Sequence, residues 1–116
     1  MDYKFINTEY LEMVAGGDNE LLKELISMFR DQVAEFNVEM SLLFNDRNYQ
    51  ALGRLAHKAK SSVAIMGMDS LANMLKTFEI QAVDGTSSEK YESYISRFET
   101  ETRGALEELD NLVKNL

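Results

Sequence analysis

The sequence predicts an all-α fold: an antiparallel, up-down-up-down four-helix bundle with a short extra helix at its N-terminus. Three observations predict it. Apolar residues recur at spacings of three and four and not of two, the period of a helix with one buried stripe. Proline is absent throughout. Two seams of alternating threes and fours, each roughly 28 residues long, mark long helices that pack near-parallel to their neighbours, and the short turns between periodic segments make consecutive helices antiparallel.

Taken in order, the first helix is expected to begin at Thr8, a residue type that accepts free N–H groups of a first turn, and to stop at Gly16 and Gly17, lidding the bundle. Asp18 then caps a long helix to about Asn45, with Leu22, Leu25, Phe29, Val33, Phe36, Met40 and Leu43 on its buried seam. Asp46 or Asn48 starts a third helix. It buries Leu52, Leu55, Ala56, Ala59, Val63 and Met66, and Gly67 ends it by accepting a left-handed conformation. Asp69 caps a fourth, which buries Leu71, Met74, Leu75, Phe78 and Ala82 until Asp84 and Gly85 turn the chain. Thr86 and Glu89 have the spacing of a capping box. The last helix carries Tyr91, Ile95, Phe98, Thr102, Ala105, Leu109, Leu112 and Leu116, with Gly104 inside it at a cost of about 1 kcal/mol relative to alanine. The two long helices, spanning about 42 Å each, should overhang the two shorter ones.

Composition bounds the function. A chain of 116 residues, 45% hydrophobic, is long enough for one domain and too short for two, so residues 1–116 are expected to form a single unit. No cysteine is present, which excludes disulfides, zinc-thiolate sites and a catalytic thiol. The N-terminus lacks a secretory pattern and no run of 18 apolar residues occurs, so we expect a cytoplasmic protein with no membrane partner. A formal net charge of −8 argues against nucleic acid and for a protein partner. The seven methionines should fill core gaps, the alternative being an adaptable docking surface around Met66 and Met68. There is no phosphate loop of the GK[ST] type, no EF-hand loop, and no carboxylate three residues before the only histidine, where Arg54 stands. ATP-dependent kinase activity and a di-metal centre are therefore not expected.

That histidine, His57, organises the functional reading. On a wheel of about 100° per residue it points away from the buried stripe of its helix. Its surface neighbours are Gly53, Lys60, Ser61 and Ala64. Small side chains around an exposed imidazole permit close approach by another protein, and a lysine one turn on can neutralise an anion attached to the ring. Between Asp46 and Asp69 there is no acidic residue, whereas Arg47, Arg54, Lys58 and Lys60 fall in that window. The positive patch is local in an acidic chain.

Glu79 is the expected partner of the ring. In a helical hairpin, residues equidistant from the turn lie level, and position 68 is midway between His57 and Glu79. Each is roughly 15 Å along its helix from the bend, and Glu79 falls about 80° from the centre of its apolar stripe, at a seam. A carboxylate accepting from Nδ1–H would leave Nε2 as an outward nucleophile. A solvated glutamate is the alternative.

The run His57, Lys58, Ala59, Lys60, Ser61, Ser62, with Gly67 ten residues after the histidine, resembles the signature of histidine-containing phosphotransfer (HPt) domains, His-x-Leu-Lys-Gly-Ser/Ala-Ser-x-x-x-Gly. His57, Lys60, Ser62 and Gly67 match. Gly17 with Asp18, Leu21 and Leu22, Phe29 and the Leu55-Ala56-His57 lead-in also look like the family, so the resemblance covers roughly Tyr10 to Glu79. Glu79 stands 22 residues beyond the histidine, where members often carry a Gln or Glu that bonds the ring. Two departures bear on partner choice and transfer rate: Ala59 replaces the usual leucine, and Ser61 stands where glycine normally lets the partner approach.

The resemblance implies a phosphorelay intermediate. His57 would accept a phosphoryl group, Lys60 would stabilise it and Glu79 would orient the ring. Gly53, Arg54, Lys58, Ser61, Ala64 and Gly67 would form the docking surface. The partners would be receiver domains of response regulators or hybrid histidine kinases, which would contribute Mg²⁺ and the reactive aspartate; no cofactor or metal is expected in this chain. A monomer is expected, and Met1 close to the first helix suggests a free-standing protein. The competing expectation is a four-helix interaction module that uses the patch around His57 without phosphoryl chemistry.

Overall fold

A computed structural model describes residues 3–116. Five α-helices follow one another: α1 (Thr8–Ala15), α2 (Asn19–Asn45), α3 (Tyr49–Ile65), α4 (Asp69–Asp84) and α5 (Tyr91–Lys114), with a 3-10 turn at Ser88–Lys90 before the last. No strand occurs among the described residues. Cross-helix pairs fix the direction of each neighbour. Arg30 pairs with Asp110 while Phe36 meets Phe98 edge-on at 6.3 Å, so α2 and α5 run in opposite directions. Gln32 accepts a hydrogen bond from Ser62 at 2.9 Å, and Phe29 lines the same hollow as Ile65 and Met66; α2 and α3 are likewise opposed. Arg97 reaches Ser70 and Tyr94 reaches Gln81, each at 2.9 Å, which opposes α4 and α5.

The caps differ in detail from the sequence reading. Asn7, one residue earlier than Thr8, caps α1 by accepting from the Tyr10 N–H. Asp18 caps α2 as expected, and Asn48, not Asp46, caps α3. Asp69 is the first residue of α4 and not its cap; Met68 precedes it and offers no side-chain acceptor, so Asp69 helps through its charge at the positive helix end. The Thr86–Glu89 box does not form. Thr86 turns back to the Gln81 carbonyl through both its N–H and its hydroxyl, and Ser87 takes a left-handed φ of 57°. The Tyr91 hydroxyl lies between the Gln81 and Thr86 carbonyls, tying the end of α4 to the start of α5. Burial pushes its pKa up, which keeps the phenol a donor.

The core is continuous from Phe29, Val33 and Met40 through Leu52, Ala56, Ala59 and Val63 to Leu75, Phe78, Tyr91, Phe98 and Leu109. Leu25, Phe36 and Leu43 are half-buried and Ile26 is fully so, which turns the α2 seam slightly from its predicted centre. Leu116 is exposed, past the end of α5. Met40, Met66, Met68 and Met74 are core residues, whereas Met13 and Met28 are exposed.

α2 and α5, at 27 and 24 residues, outrun α3 and α4, at 17 and 16. The overhang is closed by α1, which buries Leu11 and Ala15, and by a strap, residues 3–7. The Glu108 carboxylate accepts the N–H groups of Lys4, Phe5 and Ile6 at 2.6, 2.8 and 3.1 Å. The Tyr3 hydroxyl donates to Asn111, and Asn7 N–H donates to the Met66 carbonyl. The Phe5 ring lies over Gly104, where an added Cβ would be 2.3 Å from Cε2. Gly104 thus provides room for an aromatic ring that periodicity could not reveal.

Candidate functional site

The site is built on the middle of α3 and the facing turn of α4. α3 buries Leu52, Leu55, Ala56, Ala59 and Val63, and this stripe forces His57 outward. Its side chain is 57% exposed, while that of Glu79 on α4 is 26% exposed. His57 Nδ1 lies 3.0 Å from both Glu79 oxygens. An ionised carboxylate can only accept, so Nδ1 carries the hydrogen and, in the neutral ring, Nε2 keeps its lone pair. The ring makes no other hydrogen bond among the described residues.

Gly53 is not on this exposed face. It is buried in the α3–α4 seam, where an added Cβ would come within 2.7 Å of Val83 Cγ2, 2.9 Å of the Glu79 carbonyl oxygen and 3.0 Å of the Val83 nitrogen. The wheel put Gly53 one turn from His57 correctly, but a wheel has no information on how near the next helix comes. A side chain absent at this point lets two backbones touch.

The other predicted residues divide. Arg54, Lys58 and Ser61 are exposed around His57; Lys60 and Ala64 are half-buried. None of the three basic side chains is in an ion pair among the described residues, whose bridges involve Lys23, Arg30, Arg97, Arg103 and His57. Their charge is therefore open to a visiting anion. Gly67 has φ 75°, as a left-handed helix end requires, but it is half-buried beneath the strap, where a Cβ would meet Asn7 Cβ at 2.4 Å. Ser62 faces α2 through its bond to Gln32. Ala59 is fully buried, and so is Val63, which stands where the HPt signature carries serine.

Sequence reasoning missed the apolar flanks. Ile65 on α3 and Met28 on α2 are 40% and 57% exposed, and on the other side Ile80 and Val83 of α4 are 53% and 44% exposed. Each interrupts a polar surface position, a signal that reads from the wheel once the helix neighbours are known. No described helix is long and apolar enough to cross a membrane.

A family model described as the Hpt domain matches residues 24–115. The match begins inside α2 and runs through α5, so it takes in the last helix, which carries no signature of its own. No curated protein and no solved structure gives a significant match.

Proposed function

The chain belongs to the Hpt domain family, the phosphotransfer modules of two-component signalling, and from that premise we propose that it carries a phosphoryl group on His57 between receiver-domain aspartates. The observation that carries the reading is the pairing of an outward imidazole with an acid that accepts from Nδ1 at 3.0 Å. The Nε2 lone pair attacks the phosphorus of an aspartyl phosphate. An N–P bond forms as the P–O bond to the aspartyl carboxyl breaks, and that carboxylate leaves with the electron pair. The hydrogen stays on Nδ1, and the positive charge the ring then shares faces the Glu79 carboxylate. Transfer to a second aspartate is the reverse step.

In this reading Lys60 neutralises part of the phosphoryl charge, and Arg54 and Lys58 attract the acidic phosphorylation site of a receiver. Exposed Ile65, Met28, Ile80 and Val83 supply apolar area on α3 and on the two helices beside it. Mg²⁺ and the reactive aspartate belong to the receiver, and the module works as a cytoplasmic monomer without cofactor or nucleotide.

Phosphotransfer from a labelled receiver tests this. Wild type should acquire an acid-labile, alkali-stable phosphate, His57→Gln should acquire none, and Glu79→Ala should label roughly three- to tenfold more slowly, the scale of one lost hydrogen bond. Label on the glutamine variant would remove His57 from the chemistry. Wild type unlabelled by a broad set of receivers would favour an interaction module.

A further inference from the structure

Glycine in a helix interior costs about 1 kcal/mol relative to alanine, and Gly53 is both interior to α3 and buried. Its surroundings explain it. The three atoms nearest an added Cβ all belong to α4, and two are backbone: the Glu79 carbonyl oxygen at 2.9 Å and the Val83 nitrogen at 3.0 Å. The first belongs to the same residue whose carboxylate holds the His57 ring. His57 and Gly53 lie one turn apart on one helix, and Glu79 spans them, its main chain against Gly53 and its carboxylate on Nδ1.

We propose that Gly53 is a positioning residue for the imidazole: by having no side chain it lets the α4 backbone rest on α3 at the turn that carries Glu79, and so sets the reach of the carboxylate. At 2.9 Å the Glu79 carbonyl oxygen would be closer to an added Cβ than real Cβ contacts come, so a methyl group at position 53 pushes the Glu79 main chain and α3 apart. The 3.0 Å hydrogen bond to Nδ1 hangs from that main chain, and moving its anchor lengthens or bends it, which weakens a hydrogen bond. Backbone in a packed helix has no rotamer by which to step aside. The consequence for transfer rests on His57 as phospho-acceptor; the consequence for the ring does not.

Two measurements on Gly53→Ala separate these. The nitrogen chemical shifts of His57 report the tautomer directly. In wild type they should read Nδ1–H, and in Gly53→Ala they should move toward those of Glu79→Ala, although circular dichroism remains helical. Transfer from a phosphorylated receiver should slow by the roughly three- to tenfold given by Glu79→Ala, and the double variant should be no slower than Glu79→Ala alone. A merely structural glycine would leave the tautomer unchanged, or would add its own factor to the double variant; either result overturns the proposal. If Gly53→Ala does not fold, Gly53→Ala with Val83→Ala removes the closest contact, 2.7 Å, and keeps the one to the Glu79 carbonyl. The same tautomer change is expected, and its absence rejects the proposal. A changed tautomer in a protein that takes no phosphate from any receiver would uphold Gly53 and sink the phosphorelay reading.

Discussion

Gly53 and Gly104 are both interior to helices, and at each an added Cβ would collide with a neighbour, but the neighbours differ in kind. Gly53 meets the Val83 side chain and, just beyond it, the main chain of α4, held on both sides by its own helical hydrogen bonds. Gly104 meets the ring of Phe5, on a strap with no secondary structure of its own. A crowded backbone must transmit the displacement, whereas a crowded ring can turn or lift away. The same residue type therefore sets geometry at the His57 seam and only provides packing room at the overhanging end.

The carboxylates of the two regions repeat the contrast. Glu79 accepts from one ring nitrogen; Glu108 accepts three successive backbone N–H groups and holds a segment that buries Ile6 and half-buries Phe5. Stability should therefore concentrate at the strap and chemistry at the seam. The largest stability effect is expected for Glu108→Ala, which leaves those donors without their acceptor and frees the strap. A loss of about 2 kcal/mol, or roughly 10 °C in melting temperature, is expected, with the rate of His57 labelling per folded molecule unchanged. Slower labelling would break the comparison, and would point to the Asn7–Met66 bond as the link between strap and α3.

A smaller effect sharpens it. In Gly104→Ala the gain in helix propensity, up to about 1 kcal/mol, opposes the displacement of Phe5, so the net change should stay within about 1 kcal/mol by chemical denaturation. In a Phe5→Ala background the ring is gone and only the propensity gain remains. There the same substitution should stabilise. If it destabilises in both backgrounds, Phe5 is not what the glycine accommodates.

The contrast also explains what could be read from the chain alone. Helix order, the buried stripes and the level pairing of His57 with Glu79 follow from period and hairpin symmetry, which are properties of single helices and of short turns. Gly53 was misread as surface because its burial depends on the distance between two axes, and no periodicity encodes that distance. The strap was missed for a related reason. Residues 3–7 show no repeat, and their partners Gly104, Glu108 and Asn111 are about a hundred positions away. Thr86 with Glu89 had the right spacing for a box, yet Thr86 found a nearer acceptor in the last turn of α4.

Lys60 gives the smallest expected change in stability and the sharpest separation of the two regions. It is half-buried, so its stem covers apolar surface while its ammonium reaches solvent, and it is in no ion pair among the described residues. Truncation to alanine removes some contact area but gains helix propensity, and stability should move by no more than about 0.5 kcal/mol. A phosphoryl group on His57 would lose the cation one turn along the helix, and the phosphorylated form should hydrolyse several-fold faster, an effect that added salt diminishes in wild type. Lys60→Ala with wild-type stability and a shortened phosphate lifetime would assign the lysine to the chemistry of the seam. A melting temperature lowered as far as in Glu108→Ala would instead make the stem part of the core, and the division of labour between the two regions would fail at the residue where it is most exposed to test.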